Sequence, residues 1–133
     1  MQLRIFECAE EAAVALARHL ADAVRRQPDM VLGLATGRSP IATYAELRRM
    51  VSEGLVDFSR ATTFNLDEFA GVAATHPGSF RRFMDQHLFA AIGIDRERIH
   101  FLKGVAPDLD AECDRYEAAI DGAGGLDLQL LGI

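Results

Sequence analysis

The chain has 133 residues, which at roughly 150 residues per domain allows one domain and excludes two. Half of the residues are apolar and 26% are charged, the balance of a chain that folds around a core and not of a disordered one. Fourteen basic against twenty acidic residues leave a net charge of −6, which argues against a broad nucleic-acid surface but not against a small local anion site.

Residues 3–6 read as a short first strand, and over residues 9–26 Ala13, Leu16, Ala17, Leu20 and Val24 recur at helical spacing. After the Gln27-Pro28-Asp29 breaker, residues 30–35 form a compact apolar run of the kind buried on both faces of a parallel sheet, and predict a central strand. Thr36-Gly37-Arg38-Ser39-Pro40 then turns the chain. Ser39 suits an N-cap and Pro40 a first helical position, and Ile41, Tyr44, Leu47 and Val51 mark a helix face that Gly54 closes. Residues 61–66 predict a second β-prone run, ending directly in Asp67-Glu68. Beyond the His76-Pro77-Gly78-Ser79 break, Phe80, Phe83, Met84, His87 and Leu88 repeat as one helical stripe. Residues 99–102 predict a further strand. Pro107-Asp108 opens another helix with Leu109, Cys113, Tyr116 and Ile120 inward, and the glycines of 122–125 lead into a last apolar run, 126–133.

Strands alternating with helices at these lengths predict a Rossmann-like α/β fold, a mostly parallel sheet with helices on both faces, since parallel pairing needs crossover connections. The apolar run at 126–133 makes the sheet read as truncated. Cys8 and Cys113, far apart and without any C-x-x-C, indicate neither a disulfide framework nor a thiolate zinc site and fit a reducing cytoplasm. The start, MQLRIFECAEE, lacks the pattern of a signal peptide, and no segment approaches ~18 continuous apolar residues, so neither export nor a membrane partner is expected.

In open α/β sheets ligands collect outside the carboxyl ends of the strands, which directs attention to two segments. A strand running through Thr36-Gly37 into a capped helix aims backbone N–H groups and the positive helix end at an anion such as a phosphate. Thr36 and Ser39 add hydroxyl donors, Gly37 permits close approach, and Arg38 either adds charge or points to solvent. The alternative, commoner by shape alone, is an ordinary βα turn, because neither GxGxxG nor GxxxxGK[ST] is present. Asp67 and Glu68 are neighbours, so in extended backbone they face opposite sides, and one of them serves structure. A strand-end carboxylate beside an apolar wall acquires a raised pKa and can act as a proton-transferring base, the alternative being a capping or solvated pair. His76 lies in a turn, His87 on an apolar helix stripe, and His19 and His100 in no constellation. HExxH, GxSxG and carboxylates at metal-ligand spacing are missing, leaving zinc-hydrolase and serine-hydrolase readings without local support.

Taken together, LGLATGRSPIATYAEL (residues 32–47), TFNLDEFAG (63–71), HPGSFRRFM (76–84) and APDLDAECDRYE (106–117) resemble the glucosamine-6-phosphate deaminase family, over nearly the whole chain. The resemblance implies conversion of glucosamine 6-phosphate and water to fructose 6-phosphate and ammonia by an aldose-to-ketose isomerisation. It implies no metal and no organic cofactor, a small sugar phosphate as the partner, and a homo-oligomer at full length. It matches Asp67 to the proton-transfer base, with Glu68 as a possible second acid, and Thr36, Gly37, Arg38 and Ser39 to the phosphate loop. Arg38 stands where the family often has a second glycine. The segment supplying the family's ring-opening histidine is not among the 133 residues, so the chain reads as the amino-terminal part of one isomerase/deaminase domain, inactive by itself. The alternatives are a 6-phosphogluconolactonase or another sugar-phosphate isomerase, and a non-catalytic sugar-phosphate sensor.

Overall fold

A computed structural model describes residues 2–132; Ile133, the end of the expected last strand, lies outside the described residues. Helix α1 (Ala9–Arg26) is built largely of strong helix formers, with Glu10 and Glu11 in its first turn and Arg25 and Arg26 in its last, so both ends complement the helix dipole. Strand β1 (Val31–Leu34) is buried at every position, as its continuous apolar run requires. Helix α2 (Ile41–Ser52), strand β2 (Thr62–Asn65), helix α3 (Phe80–His87), strand β3 (Ile99–His100), helix α4 (Leu109–Gly122) and strand β4 (Leu128–Gln129) follow.

All pairings are parallel and the strand order is β3-β2-β1-β4. Leu32 and Leu34 of β1 face α1, α2 and α3 in the larger core, with Leu20, Val24, Tyr44, Leu47 and Met84, whereas Val31 and Phe64 face Tyr116 of α4 in a smaller one. The Rossmann-like reading, a parallel sheet covered on both faces, therefore holds. The chain steps outward from β1 through β2 to β3 and then crosses to the far side of β1 for β4. The order reverses there, and in such sheets the crevice at that reversal is where ligands bind.

Several local expectations are corrected. Residues 3–6 form no strand: they pair with neither edge of the sheet among the described residues, and Leu3 and Ile5 are 78% and 86% exposed. An extended run without a ladder partner leaves its backbone to water and is not a strand. Helix α2 begins one residue later than expected. Pro40 is the capping position and accepts the Tyr44 N–H at 2.9 Å, while Ser39 stays exposed outside the helix. The strand expected at 99–102 is only two residues long, because pairing to β2 ends at Phe64–His100. On α4, Tyr116 is buried and Ile120 half-buried as expected, but Leu109 and Cys113 are exposed and Glu112 takes the inward position. Glu112 can be buried there because its carboxylate accepts from the Lys103 N–H at 2.8 Å and from Arg115 at 2.5 and 2.7 Å. On α3, Met84 is buried while Phe80 and Phe83 are only half-buried, and His87 is half-buried against the Phe83 ring. No helix among the described residues is long and apolar enough to cross a membrane.

Candidate active site

Parallel register aligns the two segments singled out above. Leu34 of β1 is paired with Asn65 of β2, so Thr36 and Asp67 each lie two residues beyond the same rung, at strand ends about 4.8 Å apart. Beyond buried Ala35 the chain passes half-buried Thr36 and exposed Gly37, Arg38 and Ser39 before entering α2. Gly37 has φ +93°, a left-handed backbone that side chains rarely adopt, with open space where a Cβ would stand. Glycine is needed there for conformation and not for room. The backbone N–H groups of Thr36, Gly37, Arg38 and Ser39 have no acceptor among the described residues. They stand at the amino end of α2, where the helix dipole favours an anion.

The two acids behind β2 part company as their alternation predicts. Glu68 turns back to helix α3: its Oε1 accepts from the Phe69 N–H at 3.0 Å and the Phe80 N–H at 2.9 Å, and its Oε2 from the Arg81 N–H at 3.0 Å. Asp67 is left without a hydrogen bond among the described residues. Partial burial of its carboxyl, and then the negative charge of Glu68, raise its pKa above the ordinary aspartate value. That combination, an unengaged carboxylate with a raised pKa at a strand end, is what a proton-transferring base needs.

Neighbouring side chains hold both strand ends. From one layer, the buried Tyr44 hydroxyl donates to the Ala35 carbonyl. From the other, the Tyr116 hydroxyl is placed 2.7 Å from the Asn65 carbonyl and 3.2 Å from that of His100. Asn65 itself is buried and donates through Nδ2 to the Leu34 carbonyl at 3.2 Å, tying β2 to β1 just before the acid. The loop behind Asp67 is fixed at a distance by Gly104. A Cβ there would meet the Phe69 carbonyl oxygen at 2.2 Å and that of Val72 at 2.6 Å, and the Gly71 N–H donates to the Gly104 carbonyl at 2.7 Å. The helical periodicity that placed Tyr44 and Tyr116 inward carries no information about where their hydroxyls end, and Gly104 has no signal in its neighbours.

The other candidates take ordinary places. His76 is exposed, and its Nδ1 accepts from the Gly78 N–H at 3.0 Å within the turn. His100 stacks on Phe64 at 4.4 Å, where burial and then Arg115 lower its pKa. Both cysteines are exposed and free. A cavity of about 710 Å³ lies away from the two strand-end segments, between Arg81, Phe101, Lys103 and Pro107. A second, of about 360 Å³, opens beside the end of β2 against Asn65, Leu66, Cys113 and Tyr116. Neither includes Asp67 or the loop from Thr36 to Ser39, so cavity size does not locate this site.

Comparison with known proteins adds independent findings. The family model described as "Glucosamine-6-phosphate isomerases/6-phosphogluconolactonase" matches residues 5–133. Glucosamine-6-phosphate deaminase 1 of Giardia intestinalis is 47% identical over 131 residues, 98% of this chain and 49% of its own length. The glucosamine-6-phosphate deaminase of Clostridium perfringens (strain SM101 / Type A) is 43% identical over all 133 residues, covering 55% of its own length. The solved structure of a monomeric glucosamine-6-phosphate deaminase superposes with a TM-score of 0.97 at 41% identity, covering 100% of this chain and 55% of that one. A 6-phosphogluconolactonase from Thermotoga maritima shares the fold, with a TM-score of 0.77 at 23% identity over 97% of this chain and 57% of its own. The chain spans about half the length of the curated relatives it matches.

Proposed function

The chain belongs to the family of glucosamine-6-phosphate isomerases and 6-phosphogluconolactonases, and from that premise we propose that it supplies the base and part of the phosphate site of a glucosamine-6-phosphate deaminase. In this reading the loop from Thr36 to Ser39 receives the sugar phosphate on its free N–H groups and the amino end of α2. Asp67 takes the proton from C2 of the opened aminosugar and returns it at C1. Water then adds at the resulting C2 imine, and ammonia leaves to give fructose 6-phosphate. Glu68 is engaged on α3 and takes no part in proton transfer. The reaction belongs to the breakdown of amino sugars, and a cytoplasmic location goes with it.

The observation that carries the reading is an unengaged, pKa-raised Asp67 at the end of β2, one strand away from the left-handed glycine loop after β1, the strand that borders the reversal of strand order. The deaminases are 41% identical or more where the lactonase shares only the fold, which favours the aminosugar over the lactone.

Two measurements test it. Titrating nitrogen-15-labelled chain with glucosamine 6-phosphate is expected to shift the Gly37, Arg38 and Ser39 amide signals first, and Gly37→Val to abolish those shifts. In a protein joining residues 1–133 to the remaining half of the Clostridium perfringens relative, Asp67→Asn is expected to lower ammonia release by at least ~100-fold, the low end of a general-base contribution. Unmoved loop amides would remove the phosphate assignment, and undiminished turnover would remove the base.

A further inference from the structure

We propose that Glu68 is the positioning residue of this site: by holding the start of α3 it fixes the direction in which Asp67 leaves β2 and keeps the Asp67 carboxylate unengaged. The inference rests on the reading of Asp67 as base and extends it to the residue that makes Asp67 usable.

The first turn of a helix leaves N–H groups without intrahelical partners. In α3 Glu68 accepts from the first two residues, Phe80 and Arg81, and Ser79 Oγ accepts from the third, Arg82, at 3.0 Å. Ser79 is in turn buried and donates to the Ala74 carbonyl at 2.9 Å. Glu68 thus closes the loop between β2 and α3 from its strand end, and its Oε1 also accepts from Phe69 directly after it. The Phe69 ring lies 4.5 Å from that of Phe80 across the same closure. With Glu68 committed to α3, the preceding side chain must leave the backbone on the other side.

Glu68 also acts on Asp67 through its charge, since it is the neighbouring group whose field disfavours the ionised Asp67. Other charges around the loop do not share that role among the described residues. The Arg81 guanidinium is turned onto Asp85 at 3.1 Å, and His76 is engaged within its turn. One carboxylate therefore both anchors the loop and adjusts the base. A cap of the Ser79 kind does only the first.

The test uses the 133-residue chain and needs no turnover. Carbon-13 NMR follows the Asp67 carboxyl through its titration, and hydrogen exchange follows the Phe80 and Arg81 amides. Glu68→Gln is expected to move the Asp67 midpoint down toward the ordinary aspartate value, and Glu68→Ala to speed exchange at Phe80 and Arg81 by about tenfold or more, the loss of a hydrogen bond to a charged acceptor. Ser79→Ala, which frays the same helix end without removing a charge, is expected to speed exchange at Arg82 and leave the Asp67 midpoint in place. An Asp67 titration unmoved by Glu68→Gln, or moved equally by Ser79→Ala, overturns the proposal, as do Phe80 and Arg81 amides that stay protected in Glu68→Ala. If Asp67 follows Glu68 in this way and yet Asp67→Asn leaves ammonia release intact in the joined protein, the base assignment fails and the positioning survives.

Discussion

Asp67 is kept in a condition that opposes folding. Its folded-state pKa is raised, so the ionised carboxylate is less at ease in the native chain than in the unfolded one. The native state gains from the protonated form below the ordinary aspartate range, and this contribution is lost as pH rises through the raised folded value. Asp67→Asn is therefore expected to raise the thermal midpoint at neutral pH and to match the parent chain at acid pH, which paired thermal melts at the two pH values measure. A stabilising change at the residue proposed as the base is the trade expected where function and not packing selects a residue. Glu112 has the opposite sign. Arg115, and then the Lys103 N–H, hold its pKa down at about 2 against the penalty of burial. Its contribution is present above the ordinary glutamate range and is lost as pH falls toward that value. Glu112→Gln is expected to lower the midpoint at neutral pH and to narrow that gap in acid. Gly104→Ala acts without any titration: a methyl group 2.2 Å from a carbonyl oxygen forces the loop behind Asp67 to move, and a loss of ~1–3 kcal/mol in denaturant unfolding is expected.

At the scale of elements, the site is made by fixing strand ends from both layers. Tyr44 reaches the end of β1 from α2, and Tyr116 reaches the end of β2 from α4. Tyr44→Phe and Tyr116→Phe keep the rings and remove the donors, leaving carbonyls at Ala35 and Asn65 short of a partner. Each is expected to cost ~1 kcal/mol in chemical denaturation. The elements themselves were largely legible in the sequence, because periods of 3.6 and continuous apolar runs are imposed by burial. Helix α1 was readable to both of its ends, and the apolar run at residues 30–35 identified the interior strand β1. What stayed hidden depends on partners far away in the chain. Residues 3–6 have the composition of a strand but no ladder, β3 stops where its pairing to β2 stops, and Glu112 is buried only because Arg115 and Lys103 meet it. Within the site, adjacency put Asp67 and Glu68 on opposite sides and the family resemblance selected Asp67, but that Glu68 would find helix α3 required the fold.

For the whole molecule, the candidate site lies on an open surface. Asp67 and the loop from Thr36 to Ser39 border neither the 710 Å³ cavity nor the 360 Å³ one beside the end of β2, and Gly37, Arg38, Ser39 and Asp67 are exposed. Transfer of a carbon-bound proton depends on electrostatic interactions that water weakens, so a carboxylate only partly withdrawn from solvent, as that of Asp67 is, makes a poor base even with a raised pKa. The chain covers about half of each deaminase it resembles, and among the described residues no cavity encloses Asp67 or the Thr36–Ser39 loop. Residues 1–133 by themselves are therefore expected to bind glucosamine 6-phosphate weakly through the Thr36–Ser39 loop and to release no measurable ammonia. The protein joined to the remaining half of the Clostridium perfringens relative is expected to do both. Apolar side chains such as Leu3, Ile5, Phe69 and Leu131, all at least half exposed, are expected to lose solvent contact in that joined protein and raise its thermal midpoint. Ammonia release by an enzyme-coupled assay, run beside thermal unfolding on the two proteins, decides it. Turnover by residues 1–133 equal to that of the joined protein would show that Asp67 works from the open surface and that enclosure contributes nothing to the chemistry.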